Sequence, residues 1–133
     1  MNATTPIHDL ARDVVVIGEG FSAAAEAGGA EFWRALMAGE RADVEAGWLV
    51  TAGVHEGTWP HWEMHPEGEE LVVLLSGNVT LVLDRDGVTS EHTLDRPGQL
   101  VLVPRGTWHH ARTESSAHLL FVTAGKGTQH RPL

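Results

Sequence analysis

Gly57-Thr-Trp-Pro-His61-Trp-Glu63-Met-His65-Pro-Glu-Gly-Glu69-Glu70-Leu-Val-Val-Leu-Leu-Ser-Gly77 is the stretch on which the fold turns. In an extended chain alternate side chains share a face, so His61, Glu63 and His65 line one side while Trp62 and Met64 take the other. Pro66-Glu67-Gly68 then turns the chain. Glu69 or Glu70 opens the next strand, where a carboxylate returns close to His65. The run Leu71–Leu75 is unbroken and apolar, too short for a helix and bounded by Ser76-Gly77-Asn78. It reads as a strand buried on both sides, with one face toward a core and the other against a second subunit.

A second stretch repeats the logic downstream: Gly98-Gln-Leu-Val-Leu-Val-Pro104-Arg-Gly106-Thr-Trp-His109-His110-Ala-Arg-Thr113. Pro104 and Gly106 turn one strand into the next, and neighbours His109 and His110 must point to opposite sides. Only one can join a site. From about residue 46 to 124 short strands succeed one another at regular spacing: Trp48–His55, Trp62–His65, Glu70–Leu75, Val79–Asp84, Val88–Thr93, Leu100–Val103, Thr107–Arg112 and His118–Thr123. This is the pattern of an all-β barrel or sandwich, with hairpins made at Asp84-Arg85-Asp86-Gly87 and Arg96-Pro97-Gly98.

The first 45 residues form a separate extension in which Val14–Ile17 reads as a strand and Glu31–Ala38 as a short helix. Phe32, Leu36 and Trp33 would lie on one face of that helix, which is expected to cover an open barrel end. Gly18-Glu-Gly-Phe-Ser-Ala23 after Val14–Ile17 matches a dinucleotide-binding fingerprint. A dinucleotide fold needs a helix directly after the glycines and alternating β and α units beyond. This chain offers strands, so the glycines read as turn residues. The tail, residues 125–133, is polar and lacks apolar periodicity, and reads as an arm across a neighbour or as frayed chain.

A chain of 133 residues suits one domain, residues 1–133, with one core. Nine Lys and Arg stand against 18 Asp and Glu, a net charge of −9 that disfavours nucleic acid or an anionic membrane as partner. No cysteine is present, so any metal must be held by imidazole and carboxylate. No apolar run is long enough to span a membrane and no secretory signal is visible, which makes the cytoplasm the expected compartment. Nine histidines and five tryptophans are many for this length, and His61, His65, His109 and His110 crowd into the two quoted stretches together with Trp59, Trp62 and Trp108. That clustering suggests a site.

On these two stretches the chain resembles the cupin superfamily, whose motifs are G-x5-H-x-H-x(3,4)-E-x6-G and G-x5-P-x-G-x2-H-x3-N. The second fits at Gly98, Pro104, Gly106 and His109, and departs at Thr113, which replaces Asn. The first fits at Gly57, His65, Glu70 and Gly77, and departs at Glu63, which replaces the first His. The spacing from Gly57 lands on Glu63 and makes His61 one repeat too early to substitute. The resemblance implies a small cupin-type double-stranded β-helix, a jelly-roll barrel, preceded by a short N-terminal strand and helix. It also implies one divalent metal ion per chain, Fe, Mn, Ni or Zn, held by His65, Glu70 and His109 with Glu63 as a fourth ligand or as an acid/base beside them. Two histidines and a carboxylate form the facial triad of non-haem iron oxygenases. The expected function is therefore a metal-dependent oxygenase, specifically a dioxygenase, of a small-molecule substrate, with Glu63 or His61 moving a proton. Alternatives are a metal-dependent isomerase or lyase, and a non-catalytic module that binds a small molecule or the metal. A homodimer is expected from the two-sided strand Leu71–Leu75. Trp59, Trp62 and Trp108 pack the fold or line the pocket mouth, and Arg105 is solvated or pairs with a substrate carboxylate.

Overall fold

The computed structural model describes residues 5–133. An N-terminal hairpin, β1 (Asp13–Ile17) and β2 (Ala23–Ala27), is followed by helices α1 (Ala30–Met37) and α2 (Ala42–Glu45). Eight strands complete the chain: β3 (Trp48–Thr58), β4 (His61–Met64), β5 (Glu70–Gly77), β6 (Val79–Arg85), β7 (Val88–Leu94), β8 (Leu100–Val103), β9 (Trp108–Thr123) and β10 (Gln129–Pro132). All strand pairs are antiparallel, and β9 is the spine: its first half pairs with β6 and its second half with β5, while β3 runs along both. Two sheets thereby share one strand and fold over a common core, the jelly-roll barrel expected for the sequence.

The core between the sheets follows the period of two in the strands. Val72 and Leu74 of β5, Leu81 and Leu83 of β6, Val103 of β8 and Leu119 of β9 point inward and are buried. The intervening residues Leu71 and Val73 are half-buried on the outer face. The β6–β7 connection is a two-residue turn, with Arg85 paired to Val88 and positive φ at both Asp86 (54°) and Gly87 (84°). These are the demands of a type I′ hairpin, and the Asp-Gly pair meets them. At Gly77 a Cβ would collide with the Ser116 carbonyl, so the close approach of β5 to β9 requires glycine there.

Five details differ from the sequence reading. Arg96-Pro97-Gly98 closes no hairpin: β7 pairs with β6 and β8 with β5, so this turn carries the chain from one sheet to the other. Thr107–Arg112 and His118–Thr123 are not separate strands but the two halves of β9, because irregularities opposite Gly57 and Ser76 let the chain bend through its polar middle without leaving the ladder. The glycines at 18 and 20 lead not straight into the barrel but into a short 3-10 turn and then β2, which pairs along the whole of β1. Helix α1 packs Phe32 and Leu36 onto Val14, Val16, Val44 and Leu49, a second apolar cluster beside the barrel, and leaves Trp33 at its edge. The tail is neither frayed nor extended over a neighbour: β10 pairs with β4, with His130 opposite Glu63 and Pro132 opposite His61.

Candidate metal centre

Each of four side chains reaches one point by a different local device. Glu63 lies in β4, facing inward by alternation, and its backbone pairs with that of His109 in β9. His65 follows the end of β4, where its carbonyl accepts a hydrogen bond from the Gly106 amide at 2.9 Å. Gly106 has φ of 74°, so the turn that delivers β9 also anchors the His65 backbone. Glu70 is the first residue of β5, just after the 66–69 turn, and Glu69 points away to pair with Arg105. His109 sits on the inner face of β9, while His110 faces outward with its ring edge-on to Trp62 at 4.5 Å.

One potential ligand atom from each of Glu63, His65, Glu70 and His109 lies within 4.8 Å of all the others. His65 Nε2 stands 3.0 Å from Glu63 Oε1 and 3.2 Å from Glu70 Oε2, and His109 Nε2 stands 3.0 Å from Glu70 Oε1. His65 and Glu70 are each 3% exposed and His109 is fully buried. Despite these close approaches, His65 Nε2, His109 Nε2 and Glu70 Oε1 lack a hydrogen bond of acceptable alignment. Buried polar atoms without partners are costly, about 1–3 kcal/mol each. Three that converge on one point call for a shared cation there.

The far side of each imidazole sets its tautomer. The Thr128 hydroxyl gives its one proton to the Gly125 carbonyl at 2.7 Å, so it can only accept from His65 Nδ1–H at 2.8 Å. The Thr107 carbonyl is likewise an acceptor for His109 Nδ1–H at 3.2 Å. With both protons on Nδ1, both Nε2 lone pairs are available to a metal, the outer arrangement that metal-binding histidines use. Thr123 donates to Glu70 Oε2 at 2.6 Å, and His130 Nε2 approaches Glu63 Oε2 at 3.1 Å.

The electrostatics point the same way. Burial pushes the Glu70 carboxyl up, but His109 and His65 outweigh it and hold the group down at about 2. Burial likewise works against a charged His65, yet Glu63 and Glu70 raise it to about 9. Burial raises Glu63, and the neighbouring His65 reverses that to a net lowering. The two carboxylates thus favour positive charge at the point between them. Ligand atoms about 2.0–2.2 Å from a metal stand roughly 3–4 Å apart, and the observed separations fit that scale. Two imidazoles and two carboxylates also cancel the charge of a divalent ion. These residues could hold one.

The centre forms part of the floor of a cavity of about 840 Å³. His55, Trp59 and Phe121 form one wall, with ring centroids 5.5–6.0 Å apart, and α1 contributes Trp33 and Met37 at the mouth. His61 is exposed at the rim, 6.3 Å ring to ring from His130, and is not part of the four-residue cluster. Trp59 lines the cavity. Trp62 and Trp108 do not: Arg131 lies over both rings, at 5.1 and 4.5 Å, because β10 brings it across that face. Arg105 pairs with Glu69 and lines a different cleft. Thr128 and His130 went unread because nothing in a polar tail marks it as a strand, and Thr123 and Thr107 because they resemble any strand threonine.

Among the described residues no helix is long and apolar enough to cross a membrane. No curated protein matches the sequence. Among solved structures, peruvianin-I, a cysteine peptidase from Thevetia peruviana latex, aligns with TM-score 0.55 and 20% identity over 65% of this chain and 57% of that one. A mutant of Bacillus subtilis oxalate decarboxylase aligns with TM-score 0.54 and 15% identity over 70% of this chain and 26% of that one. Oxalate oxidase in complex with glycolate aligns with TM-score 0.50 and 16% identity over 62% of this chain and 44% of that one. At such identities the likeness is one of fold, and each of these proteins extends well beyond the shared part. The cupin domain model matches residues 48–125, the segment that carries β3 to β9 and all four clustered side chains, and the chain belongs to that family.

Proposed function

We propose that the protein is a divalent-metal enzyme acting on a small organic molecule, with Glu63, His65, Glu70 and His109 as ligands, and that it is a non-haem oxygenase. The observation that carries this reading is the convergence of two Nε2 lone pairs and two carboxylates within 4.8 Å at the base of a cavity. Iron, manganese, nickel and zinc all accept such a nitrogen and oxygen set. The bound metal would supply a Lewis acid and, if redox-active, electrons for dioxygen. The chain's own residues do the rest. Thr128 and Thr107 hold the imidazole rings, Thr123 steadies Glu70, and the aromatic wall orients the substrate and keeps water from it. The test is oxygen consumption by metal-reconstituted protein across a panel of catechols, diketones and hydroxy acids. Uptake matched to substrate loss is expected; no uptake and no turnover with any of them would overturn the oxygenase reading.

A second reading has its own observation. Glu63 is 28% exposed at the cavity with His130 beside its Oε2, whereas Glu70 is 3% exposed and enclosed. A carboxylate so placed can move a proton on a bound substrate, as an isomerase or lyase requires. Under that reading Glu63→Gln abolishes an oxygen-independent turnover while the metal stays bound. Unimpaired turnover in that variant counts against it.

We propose in addition that two copies pair through the outer face of β5, β8 and β9. Leu71, Leu102 and Val122 stand in one row of that face, with Val73, Leu100 and Leu120 in the next. Leu102 is 62% exposed and Leu100 46%, a continuous apolar surface that water covers poorly.

A further inference from the structure

The charge of the cavity restricts what can enter it. Among the described residues twenty-four line it, and none of these is lysine or arginine. Its acidic members are Glu45, Glu63 and Glu70. Arg41 is bound to Glu26 and Asp43, Arg105 to Glu69 and Arg131 to Asp84, and Lys126, between the lining residues Gly125 and Gly127, is exposed and is not itself part of the lining. A carboxylate taken out of water needs a cation or several donors to replace its hydration. The centre supplies no surplus charge, because two carboxylates cancel a divalent ion, where three imidazoles and one carboxylate would leave it positive. The walls favour something else. His55, Trp59 and Phe121 are grouped as an aromatic face, and burial keeps His55 below its ordinary pKa and so uncharged, with His118 adding to the effect. Val44, Leu49 and Leu36 continue the apolar lining. A volume of about 840 Å³ admits a substituted ring with room to spare.

We propose that the site takes a neutral, ring-bearing, largely apolar molecule with an uncharged oxygen at its polar end, and discriminates against carboxylate anions. This rests on the metal-centre reading for the polar end of the ligand, whereas the charge selectivity, set by the walls and the carboxylates of the floor, holds with or without the metal. A matched pair of probes separates the two. 4-Ethylphenol is neutral at pH 7, since phenols titrate near ~10, while 4-ethylbenzoate is an anion of similar shape. Calorimetric titration of both probes into metal-loaded and metal-free protein, with the metal content of each sample measured, is the experiment.

The phenol is expected to bind at least about tenfold more tightly than the benzoate in both forms, and more tightly to the loaded one. Met37, 77% exposed at the cavity mouth, can be changed without disturbing the core. Met37→Lys should narrow the gap several-fold by strengthening benzoate binding. Equal or tighter binding of the benzoate to the unaltered protein, or no binding of either probe, would overturn the proposal. Failure of the metal centre shows differently: the protein takes up no metal, while the preference for the phenol persists.

Discussion

Thr128 determines which nitrogen His65 turns toward the cluster. Its hydroxyl proton is spent on Gly125, so it accepts from Nδ1–H and leaves Nε2 to the site. Thr128→Val should strand that N–H and misalign the ring, lowering metal affinity by roughly 10–100-fold, with Thr128→Ser restoring it. Competition of a fluorescent chelator against each variant measures this, and unchanged affinity in the valine variant would contradict the assignment. Local rules narrowed the cluster: alternation puts His61, Glu63 and His65 on one face, a Pro-Glu-Gly turn returns Glu69 or Glu70, and Pro104 with Gly106 starts the strand of His109 and His110; the resemblance to cupins then singled out Glu63, His65, Glu70 and His109. Their outer partners were not. Thr128 lies 63 positions from His65 and His130 lies 67 from Glu63, and no local periodicity announces contacts at that range.

At the scale of elements, β10 matters more than its four residues suggest. It covers β4, and Arg131 fastens it by lying over Trp62 and Trp108 and by binding Asp84 at 2.6 Å. Arg131→Ala should cost about 1–2 kcal/mol in chemical denaturation, and by loosening β10 it should also weaken metal binding several-fold. A variant with full metal affinity would show that Thr128 and His130 hold their places without the clamp. The sequence was read correctly at β5 to β8, where turns of recognisable chemistry bound runs of clear period. The structure departs from the expectation at β9, where the polar residues between Arg112 and His118 belong to one 16-residue strand rather than to a break between two. Residues on either side of that polar segment pair with β3, β5 and β6 and carry the strand through it, and pairing across the chain is not a local property.

The molecule as a whole joins a barrel core on its inner face to an apolar face left on its outside. Leu81 is fully buried among Leu83, Val79 and Leu119, and Leu81→Ala should cost about 2–5 kcal/mol through the cavity it leaves. Urea titration measures the loss. On the outside, Leu102→Glu should convert a dimer to a monomer in sedimentation with little change in core stability, and a wild-type chain that sediments as a monomer would contradict the pairing. The unbroken apolar run Leu71–Leu75 of β5 places apolar side chains on both faces, and the −9 net charge leaves the apolar strip as the feature most in need of cover. The metal centre is tested by elemental analysis of protein purified without added metal, wild type beside a His109→Ala variant shown to be folded by circular dichroism. About one divalent ion per chain in the wild type and its loss in the variant is the predicted result. Wild-type protein that stays metal-free even after incubation with iron, manganese, nickel or zinc, or a variant that keeps full occupancy, would contradict it.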